Sequence, residues 1–313
     1  MGRSSVGPFR KAWLNGKIVE LKDITMSPFS YCAQYGVMPF EGIRFYLAGR
    51  RRAIFRLEAH VKRLFNSMET VRMALPYSRF DVENGIKELV GVSNLEEGYI
   101  RPTVFLREPG VGLRLVRNEL PSVAVSLWPL ESCFRDAGIR MATSSFIRLH
   151  PRSIIPGAKI SGYYINSVFA LEEAVENGVD EALFLDSDGG VAEGSSENIF
   201  MVKRGILYTP DSESILPGIT RATIVEIAGW IGLKVEICKI KPKNLYCADE
   251  VFLVGTAAEV VPVVEIDRKK IGKGRVGSIT SMIRDAYFRV VRAEWGELPV
   301  PGHWLSFVDR KTL

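Results

Sequence analysis

A chain of 313 residues, 47% hydrophobic and 25% charged, has the length for two hydrophobic cores and the composition of a globular protein. No apolar run nears the roughly 20 residues of a membrane-spanning helix, and the start, Met1-Gly2-Arg3-Ser4-Ser5, carries no apolar signal segment, so neither membrane insertion nor secretion is expected. The net charge of +5 does not form a nucleic-acid-binding stripe: its densest cluster, Arg50-Arg51-Arg52 between Arg44 and Arg56, sits beside Gly49 and reads as a solvated hairpin tip.

Asn15-Gly16 between Ala12-Trp13-Leu14 and Lys17-Ile18-Val19 predicts a hairpin. Over residues 55–73 the period changes. Leu57, Val61, Leu64, Phe65, Met68 and Val71 recur every three or four positions, predicting an amphipathic helix on which His60 and Arg63 share a face. A second helix is predicted over 80–90, and strands over 99–106 and 123–128, where β-branched and aromatic residues gather. The stretch 129–138 breaks the pattern and reads as a domain connector, dividing a small unit (1–128) from a larger one (139–313). Beyond it come a strand over 139–144, a Pro-marked loop, and a helix over 164–176. Strands follow over 181–186, 199–202 and 206–208, with a helix from 216 to about 231. Strands over 234–240, 250–254 and 260–266, a helix over 278–293 and a Pro-rich tail complete the chain. Strands and helices mix without a strict βαβ beat, which predicts an α+β protein of two domains rather than a doubly wound sheet.

The chemistry concentrates in a few places. Lys159 lies between small and apolar residues in Gly157-Ala158-Lys159-Ile160-Ser161-Gly162. Such a setting disfavours an ammonium, so an amine usable as a nucleophile is expected there. Tyr164 follows, and Glu193 stands as an isolated carboxylate in the Gly/Ser-rich turn Glu193-Gly194-Ser195-Ser196-Glu197-Asn198. Amine, phenol and carboxylate are the groups a pyridoxal phosphate site needs: a Schiff base, a bond to the ring oxygen, and a partner for the pyridinium nitrogen. Pro217-Gly218-Ile219-Thr220 heads a helix and offers unpaired N–H groups to a phosphate, to which the Thr220 and Thr256 hydroxyls and Arg63 can add. The rival motif, Gly272-x-Gly274-x-x-Gly277, lacks room for the second strand and acidic residue of a dinucleotide fold, and reads as a helix-capping turn. Four cysteines without a C-x-x-C pair and three histidines without ligand spacing predict reduced thiols in a cytoplasm and no metal.

Together the motifs Phe40-Glu41-Gly42-Ile43-Arg44, His60-x-x-Arg63-Leu64, Tyr99-Ile100-Arg101-Pro102, Ala158-Lys159 with Tyr164, Glu193 through Asn198, Leu216-Pro217-Gly218-Ile219-Thr220-Arg221 and Gly255-Thr256-Ala257-Ala258-Glu259 resemble, in order, those of branched-chain amino acid aminotransferases, pyridoxal phosphate enzymes of fold type IV. The resemblance runs from about residue 13 to 293. It implies a small N-terminal α/β domain, a larger C-terminal pseudo-barrel domain and a cytoplasmic homodimer or higher homo-oligomer. Lys159 is then the Schiff-base lysine and proton shuttle. Arg63, Ile219, Thr220 and Thr256 form the phosphate cup, Tyr164 bonds the ring oxygen, and Glu193 meets the ring nitrogen. Tyr35, Phe40, Gly42, Tyr99, Arg101, Val111 and Leu113 fall on pocket positions, some donated by a neighbouring subunit. In that frame Arg101 accepts the distal carboxylate of glutamate, and Thr256 with Ala257 holds the α-carboxylate.

The implied reaction moves the amino group of an L-amino acid, of the Leu, Ile or Val type, to 2-oxoglutarate in two half-reactions. Relatives with other outcomes are a D-amino acid or amine transaminase, aminodeoxychorismate lyase, or a transaminase for a specialised amino acid. The non-enzymatic alternative, a basic interaction protein on the same scaffold, would lack a cofactor group, and none is missing. Three departures bear on the substrate side chain. Pro39 precedes Phe40 where a branched aliphatic residue is usual, Val111 replaces a methionine of some relatives, and Ser132, Cys133 or Phe134 stands where close relatives have a connector tyrosine.

Overall fold

The computed structural model describes residues 7–114, 119–130 and 137–309. The connector positions Ser132, Cys133 and Phe134 lie outside them. The first half runs β1 (Lys11–Leu14), β2 (Lys17–Glu20), a short α1 (Tyr31–Tyr35), β3 (Ile43–Ala48), β4 (Arg51–Phe55) and α2 (Leu57–Thr70). Next come α3 (Arg79–Val92), β5 (Gly98–Phe105) and β6 (Ser122–Trp128). The second half opens with β7 (Ile139–Thr143), α4 (Tyr164–Glu176), β8 (Glu181–Leu185), β9 (Val191–Gly194), β10 (Asn198–Lys203) and β11 (Ile206–Pro210). It continues through α5 (Ile219–Trp230), β12 (Val235–Cys238), α6 (Pro242–Tyr246), β13 (Glu250–Gly255) and β14 (Glu259–Ile266). The two-residue β15 (Lys269–Lys270), α7 (Ser278–Val291) and β16 (Leu305–Val308) end the chain.

Seven strands form an antiparallel sheet in the order β16-β4-β3-β5-β6-β1-β2. The β1–β2 hairpin turns at Asn15-Gly16, both at positive φ, as the dipeptide requires. On α2 the stripe Leu57, Val61, Leu64 and Met68 is buried against this sheet's core, each such side chain contributing about 1.5–3 kcal/mol. The helix α3 starts in a capping box between Ser78 and Asp81. Along β5 the two-residue period sends Ile100 and Val104 into the core and turns Tyr99, Arg101 and Thr103 to the opposite face.

The second sheet has nine strands, and six of them close into a ring: β10-β13-β14-β7-β8-β9 and back to β10 through the pair Asn198 and Glu193. Mixed parallel and antiparallel pairing around this ring gives the barrel-like domain that the resemblance implied. The last strand departs from the expected division. β16 pairs with β4, so the tail read only as Pro-rich supplies an edge strand to the first sheet, and Trp304 packs edge-on against Phe55.

Two sequence readings need correction or refinement. Arg44 and Arg52 do not belong to a solvated tip, for both are buried. The guanidinium of Arg52 donates to the carbonyls of Val90 (3.2 Å) and Ser93 (3.0 Å), where the C-terminus of α3 favours a cation. The Gly272–Gly277 motif forms the expected cap, with a physical reason for its last glycine. A Cβ on Gly277 would lie 1.8 Å from Glu250 Cδ, and that carboxylate accepts from the N–H groups of Ile279 and Thr280 at the start of α7.

Candidate active site

A cavity of about 740 Å³ opens between the two sheets, lined from the first by Phe40, Arg63, Tyr99 and Arg101 and from the second by Lys159, Tyr164, Ile219, Thr220 and the 256–258 turn. The lysine segment is zipped to the first half by main-chain bonds. The N–H of Phe40 donates to Lys159 O (3.1 Å), that of Ser161 to Met38 O (3.0 Å), and that of Gly162 to Gly36 O (2.7 Å). Ser67 on α2 adds a further tie. Its hydroxyl accepts from the Lys159 N–H (2.9 Å) and donates to Arg63 O (2.9 Å), coupling the placement of the two cationic residues. The Lys159 amine donates to the Tyr164 phenol at 2.5 Å and stands 5.0 Å from the Phe40 ring centre. The rings of Phe40 and Tyr164 meet edge to face.

At the other end the N-terminus of α5 presents Ile219 and Thr220 to the cavity. Arg63 reaches it from α2, with Nη1 donating to Pro217 O at 3.1 Å. The same guanidinium grips Glu41 in a two-pronged pair, Nε to Oε1 at 2.6 Å and Nη2 to Oε2 at 2.9 Å, and His60 Nδ1 lies 2.8 Å from Oε2. Burial opposes ionisation of Glu41, yet Arg63 and then His60 outweigh it and hold the carboxyl well below its usual range. Burial lowers the pKa of His60 despite Glu41, so a neutral ring donates to the carboxylate through Nδ1–H. Glu41 thus fixes the fork whose third nitrogen reaches Pro217 O just ahead of α5. Arg63→Lys keeps a charge beside Glu41 but cannot copy this fork. Cofactor loss on dialysis should quicken by roughly tenfold or more, while protein saturated with cofactor keeps its visible spectrum. Dialysis no faster than in wild type would leave Arg63 as a partner of Glu41 alone.

Glu193 is neither isolated nor in a turn. It lies near the end of β9, and its carboxylate accepts from Arg148 Nε (2.7 Å), Asn198 Nδ2 (3.0 Å) and the N–H of Leu216 (3.2 Å). It is 3% exposed and stands behind the cavity wall, in which Asn198 and Leu216 take part. Burial pushes the pKa of Glu193 up, and the Arg148 guanidinium opposes that rise. Nothing local in the sequence pairs Arg148 with Glu193; its one sign is an arginine set among apolar Phe146, Ile147 and Leu149.

Elsewhere in the cavity Arg101 is held against aromatic faces. Its guanidinium centre lies 4.7 Å from the Phe40 ring and 5.1 Å from that of Tyr99, and Nη2 donates to the Tyr99 hydroxyl at 3.1 Å. Gly42 lets that hydroxyl approach, for a Cβ there would fall 1.8 Å from it. Thr256 and Ala257 line the cavity in the turn between β13 and β14. Within one chain the structure does not bring Tyr35, Val111 or Leu113 to the cavity. The Tyr35 hydroxyl accepts from the Gly112 N–H (3.1 Å), and Val111 and Leu113 are 96% and 80% exposed.

An amine, a phenol, a guanidinium fork and a helix N-terminus around one cavity define a class of protein as much as a site. The sequence profile of the family described as Amino-transferase class IV matches residues 39–266, and the chain belongs to that family. It is 42% identical over 296 residues to the branched-chain-amino-acid aminotransferase of Pseudomonas aeruginosa, across 91% of this chain and 96% of that one. The structure resembles the branched-chain amino acid aminotransferase of T.th. complexed with N-(5'-phosphopyridoxyl)-L-glutamate, with a TM-score of 0.90 and 38% identity over 95% of this chain and 98% of that one. A second structure of that protein, complexed with 4-methylvaleric acid, gives the same TM-score, identity and coverage.

Proposed function

We infer that the protein is a pyridoxal 5′-phosphate-dependent transaminase that passes the amino group of Leu, Ile or Val to 2-oxoglutarate. The observation that carries this is the joining in one cavity of the Lys159–Tyr164 pair, the Arg63-flanked start of α5 and an arginine laid on aromatic rings. This donor set fits the cofactor: an amine to anchor it, a phenol beside that amine, and a cationic helix terminus for its phosphate. Bound there, the cofactor supplies an electron-accepting ring that takes the charge left when the substrate's Cα–H bond breaks. Lys159 takes that proton and returns it. Tyr164 orients the amine. Arg63, Ile219, Thr220 and the Thr256 hydroxyl hold the phosphate, and Glu193 with Arg148 behind it sets the charge at the ring nitrogen. The 256–257 turn takes the α-carboxylate common to all substrates.

One pocket must accept an aliphatic chain in one half-reaction and a carboxylate in the other. Phe40, Trp128 and Leu130 provide apolar wall, and Arg101 provides one cation. The exposed Val111 and Leu113, and the half-exposed Ile165, Val168 and Phe169 on α4, support a homodimer or higher homo-oligomer in which a second copy covers them. No helix among the described residues is long and apolar enough to cross a membrane. The likeness to branched-chain-amino-acid aminotransferases supports reading the enzyme as cytoplasmic.

Stopped-flow traces of the two half-reactions test the reading. Wild type should react with both leucine and glutamate. In Arg101→Ala a distal carboxylate entering the pocket goes unpaired at about 3 kcal/mol or more, so the glutamate half-reaction should fall roughly 100-fold. The leucine half-reaction, driven by apolar burial, should change little. Equal losses would move Arg101 to the α-carboxylate or the fold. A wild type inert to leucine but active with another amino donor would overturn the branched-chain assignment.

A further inference from the structure

Arg44 is almost fully buried on β3 and lies behind the cavity wall rather than in it. Its Nη1 reaches Ala257 O (3.3 Å) and Glu259 Oε2 (3.4 Å), and its Nη2 donates to Leu130 O (2.9 Å). Ala257 belongs to the turn between β13 and β14, and Leu130 is the last described residue before the connector's undescribed part; both line the cavity. A residue of the first sheet therefore holds both the 256–258 turn of the second and Leu130 near the start of the connector.

The turn needs such a hold. Glu259, which closes it, has φ +62°, a left-handed conformation that costs a non-glycine residue roughly 1–3 kcal/mol and persists only where the surroundings impose it. Its side chain is buried, with the Arg44 guanidinium beside its carboxylate, and Arg44 also stacks over the Tyr46 ring at 5.3 Å. Because the peptide bond is planar and trans, holding the Ala257 carbonyl fixes the whole 257–258 peptide, and with it the end of the turn whose Thr256 and Ala257 are read as holding the α-carboxylate. Ala258 lines the cavity as well.

We propose that Arg44 is a positioning residue that sets the 256–258 turn for the substrate α-carboxylate, without touching substrate itself; the proposal rests on the transaminase reading above. Its signature differs from that of Arg101. Amino donors and oxo acceptors share the α-carboxylate, so loosening the turn weakens all of them alike, whereas Arg101 discriminates by the distal group.

The test uses cofactor-loaded enzyme. Arg44→Ala would leave Glu259 buried without its cation and could unfold the protein, so the variants are Arg44→Lys, which keeps charge but loses the fork, and Arg44→Met/Glu259→Gln, which removes both charges. In each, the Kd for 4-methylvalerate and the KM values for leucine and glutamate should rise together by roughly tenfold, a hydrogen bond's worth, with kcat changed far less. The visible spectrum and the slow reaction with isoamylamine, which matches leucine without its carboxylate, should stay as in wild type. A Kd and KM within twofold of wild type in both variants would overturn the proposal, as would equal losses with isoamylamine, the mark of a merely structural role. A wild type that binds no 4-methylvalerate and reacts with no 2-amino acid would sink the transaminase reading itself and the role of Arg44 with it.

Discussion

Lys159→Ala is expected to abolish transamination, with turnover falling by about four orders of magnitude or more, because on the proposed reading one side chain both anchors the cofactor and carries the proton. Among the described residues no neighbour is placed to substitute. The Lys159 amine sits 2.5 Å from the Tyr164 phenol and over the Phe40 ring, while Arg63 and Arg101, the other cationic residues lining the cavity among those described, are engaged by Glu41 and by the Tyr99 hydroxyl. A guanidinium is not the primary amine that a Schiff base requires, so neither arginine can take the place of Lys159. The substitution should leave the fold intact, since the backbone bonds of residue 159 to Ser67 and Phe40 do not involve its side chain. Borohydride treatment of the cofactor-loaded protein, followed by mass measurement, decides the matter. Wild type should gain a permanent adduct at Lys159 and the variant none. An adduct that persists in the variant would place the anchor elsewhere.

What could be read in the sequence was local. The pairing of His60 with Arg63 on one face follows from the helical period, and the α5 start with its free N–H groups follows from Pro217-Gly218 ahead of an apolar repeat. What those groups do with distant partners could not be read that way. Glu41 lies 22 positions before Arg63 on a segment without period, and only the folded chain places its carboxylate across the guanidinium. Arg148 is separated from Glu193 by 45 positions, with a whole helix between them. Arg44 and Arg52 look like surface charge because a sequence shows the hairpin but not what packs on it. β9 has only four residues, including a glutamate and a glycine, and β16 follows a run of prolines, so neither carries the β-branched density that marks a strand. The resemblance to a family bridged part of this gap by placing Lys159, Arg63 and Glu193 in one site, but it said nothing of the ion pairs behind them.

The Glu193–Arg148 pair gives the second large effect, and it should appear in two measurements at once. Glu193→Gln keeps the shape and removes the charge proposed to hold a proton on the ring nitrogen of the cofactor. A loss of two to three pKa units there, at about 1.4 kcal/mol each, should slow single-turnover amine transfer on the order of 10²- to 10³-fold while cofactor still binds. The same change strands the Arg148 guanidinium, 9% exposed, without its carboxylate, and an unpaired buried charge costs about 3–5 kcal/mol, so thermal stability should fall as well. Glu193→Gln/Arg148→Met separates the two effects: removing both charges should restore most of the stability and none of the rate. Arg148→Met alone adds a pH signature. Burial already raises the pKa of Glu193 and the guanidinium opposes it, so losing Arg148 raises that pKa further. The carboxylate is then neutralised at a higher pH, and the acid limb of the pH–rate profile should move upward relative to wild type. Single-turnover rates that survive Glu193→Gln unchanged, with only the stability lost, would make this pair a structural ion pair at the closure of β9 on β10 and leave the ring nitrogen to another group.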